Sequence, residues 1–352
     1  MTDPEPQPAP PPLRPPFQFT LRTLLLLFVV LGSSLAVFGG WGILVFLLTV
    51  GLAIYVREAE PLWSWGRLAA IIICLLVLAA LLLPLGKVDR ENGNRRFCAD
   101  NLRGIDADLR LYCGHHGGLP PAFIADKNGK PIHSWRVLVD PLNQDAYDYA
   151  EPWDGPKNRK LTALANLNLV CSDALHAHRS GEWRTSYLAV VGTNAAWPGE
   201  KSRKLDDVDL AREAANTIML VEVKDSGILW SEPRDLSLDD PKLSAMLAPV
   251  HPGGRREDLF FTYYDVPGIH VAMADGSVRV LNTEGLSNDD LRKILQVGGC
   301  KAGEIGSRVL FDDCERRPNW PNIAALAVWL LSVGTLLVGA VRGRKAAAER
   351  PA

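Results

Sequence analysis

An α+β body tied to a membrane by apolar helices is the fold class this sequence predicts, and three patterns predict it. Apolar runs without internal charge occupy 21–39, 41–56, 68–86 and 323–341. A helical stripe of apolar residues follows the third run. Beyond it come short β-branched and apolar stretches separated by turn residues.

A helix rising ~1.5 Å per residue needs ~20 apolar residues to cross a ~30 Å hydrocarbon core. The first, third and fourth runs meet that length, and none holds a charge at mid-span, where one would cost about 2.5–3.5 kcal/mol. The second run, Trp41 to Val56, is shorter and follows the first after Gly39 and Gly40. It reads as the second arm of a tight helical hairpin, with one re-entrant element as the alternative. Tyr55, Trp63, Trp65, Trp320 and Trp329 lie at or near the ends of the runs, as an interfacial aromatic belt requires; for Trp329, a little inside, ordinary packing is the expectation.

Four crossings divide the chain into a Pro-rich tail at 1–20, three transmembrane helices within 21–86, a body at 87–322, a fourth helix at 323–341 and a basic tail at 342–352. Short flanks carry Arg14 and Arg22, Arg57 and Arg67, then Arg342, Arg344, Lys345 and Arg350. All three sets share one side if every run crosses, and the positive-inside rule makes that side cytoplasmic. Lys87, Arg90, Arg95 and Arg96 oppose this, but long domains are translocated largely regardless of charge. The expectation is a multi-pass cell-membrane protein with its main domain extracytoplasmic.

Cys74 falls in the third run; Cys98, Cys113, Cys171, Cys300 and Cys314 belong to the body, where export would let disulfides persist. Their odd number leaves one free or paired between chains. Cys300 and Cys314 close a short loop and are the first expected pair, worth about 3 kcal/mol through restriction of the unfolded chain. Cys98 and Cys113 lie ~22 Å apart on one helix at ~1.5 Å per residue, far beyond disulfide reach. One of them can instead reach Cys171, and Cys98 is favoured because it lies on the buried stripe.

That stripe is Cys98, Leu102, Ile105, Leu109 and Tyr112, one face of a helix ending near Gly114. Strands are expected at Thr185 to Val191, Thr217 to Val223, His270 to Ala274 and Ser277 to Leu281. The last two meet at Asp275-Gly276, a dipeptide suited to a type I′ hairpin turn. A helix lying on a mostly antiparallel sheet is the economical architecture.

Many short motifs occur in one order: Arg96-Phe97-Cys98-Ala99-Asp100-Asn101-Leu102, Leu119-Pro120-Pro121, His133-Ser134-Trp135-Arg136-Val137-Leu138, Glu151-Pro152-Trp153-Asp154-Gly155-Pro156-Lys157-Asn158, Thr185-Ser186-Tyr187, Asn216-Thr217, His251-Pro252-Gly253-Gly254 and Ala274-Asp275-Gly276-Ser277-Val278. In these the stretch from about 90 to 285 resembles the prepilin-like "domain of unknown function 1559" family, abundant in planctomycete bacteria. The resemblance implies a pilin-like α+β fold, a helix packed on an antiparallel sheet, displayed outside the cell membrane. It implies no established activity.

The chain departs from that pattern in two places. A prepilin signal has Gly before its cleavage point and Glu at the fifth mature position; here Gln18 precedes Phe19-Thr20-Leu21 and Thr23 stands in place of Glu. Several apolar runs replace the single anchor, so cleavage and filament assembly are not expected. An insertion holding Phe260, Phe261, Tyr263 and Tyr264 separates His251-Pro252-Gly253-Gly254 from Asp275-Gly276. Packing over a sheet edge is the expectation for it, and contact with a partner or the membrane surface the alternative.

His251, His270, Asp275 and Glu222 are types that bind divalent metal or shuttle protons. Structural duties are the expectation for all four: Asp275 in a turn, His251 anchoring one, and Glu222 and His270 in strands whose alternation turns one face to water. Cys113-Gly114-His115-His116 lacks the spacing of a haem or structural zinc site. His176 and His178 could join Cys171 on zinc, though polar loop residues are more commonly solvated. No phosphate-binding loop, dinucleotide fingerprint, nucleophile elbow or paired-histidine zinc motif occurs. The 38 basic against 40 acidic residues leave no nucleic-acid footprint.

Trp135, Arg136, Glu151, Trp153, Asp154 and Asn158 form the densest polar-aromatic constellation and are the candidates for a glycan or peptide groove. Locking a long loop against the sheet through buried hydrogen bonds and a cation–π contact is nonetheless their expected role, with the groove the alternative. The reading is a non-enzymatic structural or interaction module that takes no metal or cofactor, with the lipid bilayer and an envelope protein as partners. A ligand-binding or sensory surface module is the runner-up, followed by a metal-dependent surface hydrolase.

Overall fold

A computed structural model describes residues 20–58, 90–140, 146–164, 167–171, 183–258, 260–301, 304–305, 308–309, 311 and 314–348. The Pro-rich tail, the third apolar run, His176 and His178 and the side chain of Cys314 lie outside the described residues. The chain forms two compact units, one holding residues up to 87 with 257–261 and 318–352, the other 88–256 with 262–317.

In the first unit α1 spans Leu21–Phe38 behind an N-cap at Thr20, whose hydroxyl accepts from the Thr23 amide. It stops at Gly39, whose φ of +56° is open to glycine at little cost, and a 3₁₀ turn at Gly39–Trp41 leads into α2, Gly42–Glu58. A Cβ on Gly42 would stand 2.4 Å from the Ser34 carbonyl oxygen, so glycine there lets the two helices close on one another. The second apolar run is thus one continuous helix folded back on the first. Both pack on the C-terminal helix, Trp320–Ala348, around Val37, Phe38, Val45 and Trp329. Trp329 Nε1 donates to Ser34 Oγ at 3.0 Å and its ring meets Phe38 edge-on at 5.3 Å. The segments Leu21–Arg57 and Trp320–Arg342 are long and apolar enough to cross a membrane.

The second unit is a mixed α+β body. Its long helix α3, Arg90–His116, places Cys98, Leu102, Ile105 and Leu109 on its buried face, matching the expected stripe. A hairpin of β1 (Phe123–Ala125) and β2 (Pro131–Ser134) precedes the short helices α4 (Trp135–Val139) and α5 (Pro156–Thr162). The main sheet is built from β3 (Tyr187–Val191), β4 (Ile218–Glu222) and β5 (Leu236–Ser237), then β8 (Ile269–Met273) and β9 (Val278–Leu281), in the order β5-β3-β4-β8-β9. All neighbours are antiparallel except the short β3–β5 pair. Between them in sequence, β6 (Gly254–Glu257) and β7 (Phe261–Asp265) join β10 (Cys314–Pro318) in a three-stranded sheet ordered β10-β7-β6. The aromatic insertion is therefore sheet, with the Arg317 guanidinium 5.3 Å from the Tyr264 ring centroid.

Both faces of the main sheet are covered. Tyr187, Ala189, Met219 and Ala272 meet Leu102, Ile105 and Leu109 of α3, whereas Leu188, Val190, Val271 and Met273 meet Leu291 and Ile294 of α6, Asn288–Ile294. Period-2 alternation then divides each strand between two cores, and neither face of β4 or β8 is left to water. The expectation that Glu222 and His270 lie where one face is solvated is corrected: both are buried, on the face that α3 covers. A capping box of Ser287 with Asp290 starts α6.

The Asp275-Gly276 hairpin forms, but not with a type I′ turn. That turn needs φ above zero at both central residues, and Asp275 is not among the residues with positive φ, whereas Gly276 has φ +90°. The Gly276 amide donates to the Met273 carbonyl and the Met273 amide to that of Ser277, giving a three-residue loop with glycine in the left-handed position. Asp275 Oδ1 holds the tip, accepting from the Ser277 amide at 2.8 Å and hydroxyl at 2.6 Å.

Candidate functional site

Five pieces of the second unit, distant in sequence, deliver polar side chains to one buried point. Register and alternation place Glu222, paired with Tyr187 across β3–β4, on the sheet face that α3 covers, and His270 on the same face of β8. α3 brings Cys98. Cys171 precedes β3 and is fixed by its amide donating to Ser186 Oγ at 2.9 Å. His251 is set by a two-way backbone pairing with Gly268, where a Cβ would stand 2.4 Å from the Leu281 carbonyl oxygen. His251 is therefore anchored through its backbone to the far side of the loop that holds β6 and β7, not in a tight turn of its own, while its imidazole enters the core.

Glu222 is the centre of the cluster and has no exposure to solvent. Its Oε2 accepts from the His270 amide at 3.0 Å and lies 2.8 Å from His270 Nδ1, and His251 Nε2 is 3.3 Å from Oε1. Burial by itself pushes the carboxyl pKa up, but the hydrogen bonds and charges of His251 and His270 together outweigh it and hold Glu222 well below the usual carboxylate range. The two imidazoles stand edge to face with centroids 4.8 Å apart. Cys98 Sγ is 2.8 Å from Cys171 Sγ, beyond the ~2.05 Å of a disulfide, and both are thiols. One ligand atom from each of Cys98, Cys171, Glu222 and His251 lies within 4.8 Å of the other three.

Around this point the backbone is tied down by further polar groups. Tyr187 hydroxyl donates to the Cys98 carbonyl at 3.3 Å, and Asn101 Nδ2 donates to the Val170 carbonyl at 3.1 Å. Arg95, one turn before Cys98, donates to the carbonyls of Pro252 and Val266, each at 2.8 Å. Thus α3 is joined to the segment before β3 and to both sides of the His251–Gly268 pairing.

The groove candidates meet a different fate. Trp135 and Arg136 are buried, and Arg136 pairs with buried Asp235, which also accepts from Trp135 Nε1 at 3.2 Å and the Ala189 amide at 2.8 Å. Burial opposes both charges, raising the Asp235 carboxyl pKa and lowering that of Arg136, while their attraction and the added donors offset the cost. Asn158 is buried too; its Nδ2 donates to the carbonyls of Asp148, Glu151 and Pro152 and its Oδ1 accepts from the Asp148 amide. Glu151 Oε1 accepts the amides of Lys157 and Asn158 at the start of α5. Trp153 is half-buried and Asp154 exposed. Four of the six thus spend their polar atoms locking the loop before α5 and the α4 corner. Asp235 is the partner that sequence reasoning missed: it lies 99 residues from Arg136 with no motif to announce it.

The remaining cysteines stand apart. Cys300, the first expected disulfide partner, is a buried free thiol that donates to the Ile294 carbonyl at 3.5 Å, and burial pushes its pKa up to about 12. Of the expected Cys300–Cys314 pair, the structure describes only Cys300, as a thiol; the Cys314 side chain lies outside the described residues. At the end of α3 the His116 ring stacks on Tyr112 at 3.9 Å. No family model matches this chain, and no curated protein and no solved structure matches it either.

Proposed function

We propose that this chain is a membrane-anchored, extracytoplasmic structural or interaction module of pilin-like architecture, without catalytic activity of its own. The observation that carries the reading is the apolar outer surface of the first unit. Leu21, Phe28 and Leu331 are 71%, 63% and 72% exposed there, and Leu25 and Leu47 add to the same surface. So much exposed apolar area on two helical segments of spanning length is a surface for lipid rather than water. With the run at 68–86 it makes four crossings, and the basic flanks put the body outside.

Pilin-like architecture is supported by α3, a single long helix laid across an antiparallel sheet and preceded in sequence by apolar segments. A structural rather than groove-binding role is supported by Trp135, Arg136 and Asn158, whose polar atoms are satisfied within the body. The lipid bilayer is one partner and an envelope protein the other. Fractionation of cells expressing the full chain tests the anchor: the protein stays with membranes through an alkaline carbonate wash and leaves with detergent. Release by carbonate alone contradicts it. Crosslinking in those membranes then identifies the protein partner.

A further inference from the structure

We propose that Cys98, Cys171, Glu222 and His251 form a structural site for one thiophilic divalent metal ion, with Zn²⁺ the best fit. The inference goes beyond the membrane reading and does not depend on it. Two thiols, an imidazole and a carboxylate are a donor set that zinc accepts, and four ligand atoms mutually within 4.8 Å can close on one ion at the usual ~2.0–2.3 Å bond lengths, with the two sulfurs parting from 2.8 Å to the ~3.8 Å of a tetrahedral site. A disulfide between Cys98 and Cys171 would use the two sulfurs alone. It would leave no reason for a carboxylate and an imidazole to be assembled, fully buried, at the same point.

The surroundings suit a metal centre as well. His270 donates its amide to Glu222 Oε2 and sets its ring against the same oxygen, leaving Oε1 as the donor for the ion. The Cys171 amide is held by Ser186 and the Cys98 carbonyl by Tyr187, so both thiol-bearing segments are oriented by outer hydrogen bonds. Binding displaces the two thiol protons to solvent and leaves two thiolates and a carboxylate on a dication, one surplus negative charge. The buried guanidinium of Arg95, hydrogen-bonded to the Pro252 carbonyl beside His251, lies close by in the chain to offset it. Four protein ligands and no exposure close the coordination sphere. That is the arrangement of a structural ion, which would tie α3, the segment before β3, the end of β4 and the His251 segment together, rather than of a hydrolytic one that keeps a position for water.

The test uses the full chain purified in detergent under a thiol reductant. Metal analysis is expected to give one zinc per chain. Exchange for Co²⁺ should give the near-ultraviolet thiolate charge-transfer band and the intense visible bands of a tetrahedral site. Cys98→Ser with Cys171→Ser should abolish the charge-transfer band, Glu222→Gln and His251→Ala should shift or remove the visible bands, and Cys113→Ser should leave both intact. Removing zinc with a chelator should lower Tm, with recovery on adding zinc alone. If the variants fail to fold, the wild-type cobalt spectrum and stoichiometry still decide. Folded, reduced protein that takes up no Co²⁺ with a thiolate band overturns the proposal, as does the same band in the folded double cysteine variant. Isolation of metal-free protein with a Cys98–Cys171 disulfide, located by mass spectrometry, overturns it too.

Discussion

Burial turns ordinary polar residues of this chain into structural commitments, and the Arg136–Asp235 pair shows how. Both side chains are essentially without exposure. Removing one leaves a buried charge alone, so Arg136→Ala is expected to cost about 3–5 kcal/mol in a denaturant titration. The double replacement Arg136→Met with Asp235→Leu should recover part of that loss, because apolar side chains avoid the desolvation cost of the charges but leave Trp135 Nε1 and the Ala189 amide without their acceptor. A double variant as unstable as the single one would show that the pair is needed for more than charge balance. Cys300 offers a pH-dependent counterpart. With its thiol pushed up to about 12 by burial, it is almost wholly protonated at pH 8. Alkylation of Cys300 in native protein should therefore be far slower than that of half-buried Cys113, and should accelerate as pH rises. A raised thiol pKa also means that its contribution to stability is present below the ordinary thiol range and is lost as pH climbs through about 12. Equal labelling of the two cysteines at pH 8 would contradict its burial.

Among elements, α3 and the β8–β9 hairpin depend on each other. Arg110 of α3 is held by Asp106 at 2.7 Å and donates to the Ala274 carbonyl at the hairpin tip at 3.1 Å. Gly276 has φ +90°, and a Cβ there would stand 2.9 Å from Arg110 Nη2. Gly276→Ala is accordingly expected to destabilise by about 1–2 kcal/mol from backbone conformation, with displacement of Arg110 adding to it. A thermal melt that leaves Tm unchanged would remove this hairpin from the account. These elements were also the legible ones. The spacing of Cys98, Leu102, Ile105 and Leu109 gives α3 directly, and the four main strands lie within two residues of their predicted ends, because local periodicity follows burial. The turn type was not legible, since Asp-Gly serves more than one loop geometry. Nor was the covering of the sheet's second face by α6, which depends on packing between segments far apart in sequence. Cys98, Cys171, Glu222 and His251 could each be singled out as residue types, but their convergence is a tertiary fact. The buried stripe gave the one hint, favouring Cys98 as the neighbour of Cys171.

At the scale of the whole molecule, two compact units with opposite surfaces share one chain. One exposes leucines and phenylalanine on helices of spanning length; the other hides its apolar residues on both faces of a sheet and turns charged residues such as Lys127, Asp154 and Glu200 outward. That contrast is what a tethered module requires: an apolar anchor and a water-soluble body. The side of the membrane on which the body lies is the central claim. It is tested most directly by labelling an introduced cysteine in intact cells, with Lys127→Cys as the reporter in a chain whose native Cys113 is replaced by Ser, an impermeant maleimide as the reagent, and the same chain without the reporter as background. The account predicts that Cys introduced at 127 is labelled in intact cells as fully as after permeabilisation. Labelling that appears only after permeabilisation would put the body in the cytoplasm and contradict the account.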